Sequence, residues 1–381
     1  MQVDSAINGR PTILLIGPTP PPFHGVAVAV QALLHSRLAE RFEICHLDLA
    51  DKRGIQYVNK PDMHDVLLFC RQWGRLMGRL FCLRPQLTYL VLSQSTIGFL
   101  RDSLLFWPAY MCGSHVVVHL HGGNFGSWYA SRTWLTKAYV RTVLNRITRM
   151  IVLGDSLKAQ FDGLIDNNRI TVVPNGIEWQ ESGSIARAGS DNRRHRILHL
   201  STLSHLKGVL VLIESIPLVV RYRKDVEFVL AGPWSHAEDK RCADQFIAQE
   251  DIGEYIRFTG QVEAEEKRAL FGSADIFVFP GVQQEGQPLV VIEAMAAGLP
   301  IVFTNRGCLR DTVVDGKAGL EVPMNDPPTL AERILWLLDH PAAREEMGAQ
   351  ARQRYESLYT KDRHIQQMVE VFASSCGGRA A

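Results

Sequence analysis

Residues 280–298 read PGVQQEGQPLVVIEAMAAG and set two carboxylates, Glu285 and Glu293, eight positions apart. The second lies in an apolar run that opens after Pro288 and stops at Gly298. Proline suits the first position of a helix, where its missing N–H would have no partner in any case. Glycine suits the end. Residues 289–297 are apolar nearly all round, so the helix is expected to be buried. A buried, unpaired carboxylate costs on the order of several kcal/mol, so Glu293 needs hydrogen-bond donors. The vicinal hydroxyls of a ribose would supply them. The N–H groups of Gly286, Gln287 and Leu289 lie between Glu285 and the helix body, and with the helix dipole they suit a diphosphate. Glu285 would repel that anion and is expected to take neutral donors, such as sugar hydroxyls. The plainer alternative for the pair is a cap and a core salt bridge.

Three further stretches place reactive types beside glycine. In STLSHLKGVLVLIESI (201–216), Lys207 and Gly208 stand where a helix starts, so Lys207 can meet a phosphate; the alternative is a solvated lysine. In GPTPPPFHGVAVAVQALL (17–34), a proline-stiffened loop leads through Gly25 to a helix expected from near Val26. A glycine loop opening a helix offers N–H groups to an anion; the alternative is an ordinary strand-to-helix turn. The stretch lacks the G-x-G-x-x-G pattern of dinucleotide folds, which weighs against a dehydrogenase. In HVVVHLHGG (115–123), strand alternation puts His119 and His121 on one face. They form either a metal pair, with no third ligand evident nearby, or a substrate-facing His121 with His119 buried behind it. The second reading is favoured, with Gly122 and Gly123 letting substrate approach.

Short apolar runs alternate with helical patterns and must position these residues. Strands are expected at 12–17, 42–49, 87–93, 115–122, 150–154 and 170–176, then at 196–201, 226–232, 256–260, 276–281, 300–305 and 319–323. Unbroken Val, Ile and Leu runs indicate strands covered on both faces, as in a parallel sheet. With helices between them they form βαβ units, hence an α/β chain of two doubly wound domains. Residues 1–180 make the first and 197–360 the second, joined by a polar linker at 181–196. Helical patterns at 327–339, 341–357 and 361–375 close the chain, and the last is expected to pack back on the first domain. Ligands of such folds sit beyond the carboxyl ends of the strands.

The 381 residues, 46% hydrophobic and 21% charged, suit two globular domains, and a net charge of +1 argues against a general nucleic-acid binder. The charge is uneven: residues 1–180 hold 18 Lys/Arg against 12 Asp/Glu, and the remainder 23 against 28. Seven scattered cysteines with no C-x-x-C pair favour reduced thiols in a cytosol. The opening MQVDSAINGRP is polar, so no signal peptide is expected. No apolar stretch reaches the roughly 20 residues of a spanning helix.

EGQPLVVIEAMAAG (285–298) resembles the signature of the retaining glycosyltransferases of family 4, which have the two-domain GT-B fold, two Rossmann-like domains facing across a cleft. Pieces recur in family order across most of the chain: Gly25, the HG at 121–122, VVPNGI (172–177), KG at 207–208, LAGP (230–233) and FTGQV (258–262). The resemblance implies that Glu293 binds the nucleotide ribose, Glu285 the donor sugar and Lys207 the diphosphate, with His121 near sugar and acceptor. Gly260 and Val262 would frame the base, which leaves UDP and GDP both open, and Gly25 would border the diphosphate. It implies no metal, in keeping with the lack of a D-x-D pair. One position departs: where the family often has Arg before the KG, this chain has Ser201-Thr202, and Thr202, the expected donor-binding residue there, can donate a hydrogen bond through its hydroxyl but carries no charge. His205 is a candidate stand-in.

HLHGGNF and GFLRD (98–102) look most like bacterial cell-surface polysaccharide transferases, implying a lipid-linked or polysaccharide acceptor. The competing readings are a nucleotide-sugar epimerase, which needs more acid/base residues than are evident, and a non-catalytic nucleotide-sugar-binding protein. Residues 67–84 carry Arg71, Arg75 and Arg79 among Trp73, Leu76, Met77, Leu80 and Phe81, and 132–149 carries five basic residues and no acid. Basic amphipathic helices with aromatics lie on anionic membranes. Peripheral association on the inner face of a bacterial membrane is therefore expected, against the alternative of two ordinary helices flanking a sheet.

Overall fold

The structure is a computed structural model that describes residues 10–22, 25–53, 62–180 and 194–377. It divides into two compact units, Met1–Gly176 with Lys361–Ala381, and Ile177–Thr360.

The first unit is built on six parallel strands: β1 (Thr12–Gly17), β2 (Glu43–Asp48), β3 (Leu87–Val91), β4 (His115–His119), β5 (Arg149–Val152) and β6 (Ile170–Val172). Their order is β2-β1-β3-β4-β5-β6, with Leu14 opposite both Cys45 and Thr88. Every residue of β1 is buried, as expected for a strand covered on both faces. Ile13, Leu15, Tyr89, Val117 and Ile151 form one face of the core. The helix Lys361–Cys376 supplies Ile365, Met368 and Phe372 to that same core. The Phe372 ring lies edge-on to Tyr89 at 5.7 Å and to Phe42 at 6.1 Å.

The second unit has β7 (His195–Leu200), β8 (Val226–Ala231), β9 (Ile256–Gly260), β10 (Ile276–Phe279), β11 (Ile301–Thr304) and β12 (Gly319–Val322), in the order β12-β11-β10-β7-β8-β9 and all parallel. The winding direction reverses between β7 and β10, where a doubly wound sheet opens a crevice beyond its carboxyl ends. Lys207 follows β7 and Glu285 follows β10, one on each side of that point.

Each of the twelve expected strands overlaps one of these, several of them ending earlier than expected. Most of the linker expected at 181–196 lies outside the described residues. Its last two residues belong instead to β7, where His195 and Arg196 pair with Val226 and Glu227 and the Arg196 guanidinium meets Glu227 at 2.8 Å. Residues 177–180 belong to the second unit. Ile177 donates to the Tyr359 carbonyl at 3.0 Å, and Trp179 stands edge-on to Phe271.

The long helix Met63–Leu83 starts from a capping box of Asp62 and Asp65 and ends at Arg84, whose φ of 44° breaks the repeat. Its arginines divide: Arg71 and Arg75 are exposed, whereas Arg79 reaches the carbonyl of His46 on β2. The row of three expected from sequence is therefore a surface pair and one tie to the sheet. Among the described residues no helix is long and apolar enough to cross a membrane.

Candidate donor site

The loop after β7 reaches Lys207 through a short turn. Ser204 caps it, accepting from the Lys207 N–H at 3.4 Å, and Gly208, at φ 82°, turns the chain into the helix Val209–Val220. A Cβ on Gly208 would collide with the carbonyl oxygen of Pro280, so the loops after β7 and β10 touch backbone to backbone. That contact sets Lys207 Nζ at 2.5 Å from Glu285 Oε1. The same oxygen accepts from Gln283 Nε2 at 2.7 Å. The ammonium also stands 5.9 Å from the Phe279 ring centroid. A lysine ammonium has three donors, so this ion pair leaves two for phosphate oxygens.

The Glu285 turn is supported from β11. A Cβ on Gly307, at φ 62°, would collide with the Glu285 carbonyl oxygen, and the Gly307 N–H donates to Gln284 Oε1 at 2.7 Å. Buried Cys308 holds the Gly286 carbonyl, and burial pushes its thiol up to about 12. Gln287 is buried too: its side-chain amide donates to Thr312 Oγ1 at 3.1 Å. The side chain of this expected donor-binding residue is thus engaged within the protein.

Pro288 is not the first helical residue. Its ψ of 122° is extended, and its carbonyl accepts the first bond, from Val291 N at 3.1 Å; the helix is Leu289–Ala296. The ring fixes φ but not ψ, so proline serves as well one step earlier, as the cap. At the other end Gly298, at φ 67°, stops the helix as expected.

Glu293 projects from this helix with its side chain 13% exposed. Its Oε1 accepts from Lys267 Nζ on the helix Ala264–Ser273, and its Oε2 is buried with no partner. Burial raises the carboxyl above its usual range, and Lys267 offsets part of that. A half-satisfied buried carboxylate is costly, and it is an acceptor ready for a ligand hydroxyl. Val262 and Leu289 pack on one apolar cluster, and Gly260 closes β9 at φ 70° with open space where a Cβ would stand.

At the end of β7, buried His199 bridges the Val278 carbonyl (2.9 Å) and Ser201 Oγ (2.8 Å), and burial lowers its pKa to about 4. Thr202 next to it is exposed. His205 Nδ1 and N–H both face Asp239, at 3.2 and 2.9 Å, so the histidine named as a stand-in cation is already paired with a carboxylate.

His121 and Gly25 belong to the first unit. The His121 ring stacks on His119, centroids 3.9 Å apart, tilted by 30°. His119 is fully buried, its Nδ1 is held by the Tyr89 hydroxyl at 2.8 Å, and burial drives its pKa well below the usual range. A face-to-face pair with one ring nitrogen bound to tyrosine is packing geometry, not chelation. Among the described residues, the His/Asp/Glu/Cys group with atoms close enough to share a metal is Asp51, His64 and Asp65, and Arg53 already pairs with both acids. Gly25 opens the helix Gly25–Leu34, one residue earlier than expected, with open space where a Cβ would stand. A Cβ on Gly122 would run into the Gln94 side chain.

Lys267, Gln283 and Gly307 are the contributors that sequence reasoning missed. Lys267 sits in AEEKRALFGS, which reads as a solvated helix; only its place opposite a buried glutamate reveals it.

The second unit is doubly wound, with Glu285 paired to Lys207 before the helix Leu289–Ala296 and Glu293 paired to Lys267 within it, and comparison with known proteins gives the class. Residues 184–354 match the model of the glycosyl transferases group 1. The chain is 31% identical over 265 residues to a phosphatidyl-myo-inositol mannosyltransferase of Mycobacterium leprae, covering 67% of each. It spans about half the length of other curated relatives it matches. Two solved structures superpose over 96% of the chain. Anabaena HepE in complex with UDP and glucose gives a TM-score of 0.75 at 16% identity over 100% of its own chain. Sucrose-phosphate synthase from Thermosynechococcus elongatus gives 0.73 at 17% over 99% of its own. The chain belongs to the group 1 glycosyltransferases, and its fold is GT-B.

Proposed function

We propose that the protein is a retaining transferase that moves a sugar from a nucleoside diphosphate sugar to an acceptor hydroxyl without a metal. The observation that carries this reading is the pair of glutamates flanking the helix start, one on Lys207 and one with a buried, unfilled oxygen. Glu293 Oε2 takes the ribose hydroxyls. The N–H groups of the 286–289 turn and the spare donors of Lys207 take the diphosphate. Glu285 orients the sugar through neutral donors, with Gly260 and Val262 beside the base.

The barrier is departure of a charged diphosphate, and fixed donors stabilise that charge as it develops. Glu285 is tied to Lys207 and Gln283, which suits a positioning role better than a nucleophile's. Attack therefore comes on the face the leaving group vacates, with the acceptor proton passing to the departing phosphate. Incubation with UDP- and GDP-sugars and an acceptor panel in chelator tests this, with the product linkage read by NMR. Retained configuration is expected, and an inverted anomeric centre refutes the mechanism. Solvent deuterium entering the donor sugar without acceptor would favour an epimerase instead. Binding with no acceptor-dependent release of nucleoside diphosphate would leave only the binding protein.

The acceptor is lipid-linked in this reading. On the first unit, Leu67 and Phe81 of the helix Met63–Leu83 and Ile97, Leu104 and Met111 of the helix Thr96–Met111 are exposed, and Trp73 Nε1 on the former donates to the Leu104 carbonyl of the latter at 3.2 Å. Trp134 and Leu135 are exposed as well, and so are Arg71 and Arg75 on the helix Met63–Leu83. Apolar side chains beside exposed arginines suit an anionic bilayer surface. Its occupant is then the inner face of a bacterial membrane, where cell-surface glycan intermediates are assembled. Several family relatives are named for phosphatidyl-inositol acceptors, which fits a lipid substrate.

A further inference from the structure

Charge balance in the second unit leaves one requirement unmet. Lys207 is neutralised by Glu285 and Lys267 by Glu293. His205 faces Asp239, and Arg310, on the helix Leu309–Thr312, is bound to Glu321 at 2.8 Å. A nucleoside diphosphate entering between these pairs brings at least two negative charges. Thr202 offers none of opposite sign.

Arg306 does. It follows β11, immediately before the glycine that packs on the Glu285 carbonyl, so its chain leaves the backbone at the edge of the Glu285 turn. The residue is half-buried, its Nε is buried without an acceptor, and among the described residues it has no carboxylate partner. Burying part of a guanidinium with an unfilled donor is unfavourable unless an anion completes it. Resting on the donor-site reading above, we propose that Arg306 is a donor-binding residue whose guanidinium meets the phosphates of the nucleoside diphosphate. It supplies the second positive charge that Lys207, tied to Glu285, does not bring alone. No bond changes at Arg306; it holds the leaving group and stabilises its charge as the sugar departs.

Calorimetric titration of the full chain with UDP and GDP tests this, comparing wild type with Arg306→Met, Arg306→Lys and Arg306→Met/Thr202→Arg. Arg306→Met should weaken the preferred diphosphate at least ~10-fold, the order expected for losing a charge-assisted hydrogen bond. Arg306→Lys should retain most of the affinity, and the added Thr202→Arg should restore part of it. Unchanged diphosphate affinity in Arg306→Met overturns the assignment. So does a loss that Arg306→Lys shares in full, which marks a packing role. An effect seen only with donors whose sugar carries a carboxylate, at constant affinity for the bare diphosphate, overturns it too and moves the group to the sugar. If wild type itself binds neither diphosphate, the donor-site reading fails first, and that outcome is separate from all three.

Discussion

Replacing Glu293 with Gln separates ligand binding from folding at one atom pair. Burial raises the carboxyl, so ionising it costs more in the folded protein than in the unfolded chain. That difference stabilises the fold below the ordinary glutamate range and is lost as pH rises through the raised folded value. Wherever the side chain is ionised it is therefore a burden on the apo fold, offset in part by Lys267. Glutamine has the same shape and no charge. The apo midpoint of thermal unfolding should stay level or rise.

Binding should move the other way. A hydrogen bond to a charged acceptor contributes about 1.5–3 kcal/mol and a neutral one about 0.5–1.5. Two ribose hydroxyls meeting Oε2 would lose about 2–3 kcal/mol together, or about 30- to 150-fold in Kd. At a ligand concentration about 100 times the wild-type Kd, ligand stabilises wild type by about 2.7 kcal/mol, and the variant by only about 0.3–0.9. Calorimetry and ligand-dependent melting read both quantities on one sample. Equal affinity in the two proteins refutes the ribose role. A fall in apo stability that matches the fall in affinity shows instead that the Lys267–Glu293 pair is a structural salt bridge.

Lys207→Met should lower kcat about 100- to 1000-fold with every donor, the range seen when one preorganised donor to a developing charge is removed; steady-state kinetics decide it. Gly208→Ala should lower stability by about 2 kcal/mol or more, because φ 82° disfavours any Cβ and the Pro280 carbonyl occupies its place, and the thermal midpoint should fall by several degrees. His199, buried and neutral with a pKa lowered to about 4, should make the protein acid-labile. Its contribution is complete above the ordinary histidine value and is lost as pH falls toward 4, amounting to about 3 kcal/mol, and His199→Gln should flatten that part of the pH–stability curve measured by denaturant titration. Arg71→Glu/Arg75→Glu should weaken sedimentation with anionic liposomes at low salt by about 1 kcal/mol per residue or more; unchanged sedimentation refutes the membrane-facing stripe.

The central strands were legible because a doubly wound sheet buries both their faces, so β1, β10 and β11 are nearly continuous apolar runs, whereas the edge strands β2 and β9 carry charged, partly exposed residues. Strand ends were less so: His195 and Arg196 look like linker until Glu227 and Asp275 give the arginine and its backbone partners. The glutamate spacing was legible because a charge inside an apolar helix is a local contradiction that sequence alone exposes. What completes Glu293 was not. Lys267 lies 26 positions away in a run of charges indistinguishable from a solvated helix face. Pro288 shows the limit of a local rule, since its ring constrains φ and leaves ψ to the turn that precedes the helix. Arg79 shows the same for surfaces, because its regular spacing with Arg71 and Arg75 is broken by one carbonyl on β2.

Close backbone contacts fix the site's loops against one another, in addition to the side-chain bonds of Gln284 and Cys308. Gly208 lies on the Pro280 carbonyl, Gly307 on that of Glu285, and Gly232, at φ 127°, on that of Ser201. These three contacts join the ends of β7, β8, β10 and β11 around the point where the sheet reverses its winding. Any side chain at one of the glycines would push two loops apart and with them the Lys207–Glu285 pair. In the proposed donor site the groups that would meet a diphosphate are mostly main-chain N–H groups, whose positions no rotamer can adjust. Such a cradle works only if the loops carrying it are fixed before the ligand arrives, since a fixed dipole needs no reorganisation when charge develops. In the proposed mechanism the glycines beside Lys207 and Glu285 are therefore as much a part of the leaving-group chemistry as the charges themselves.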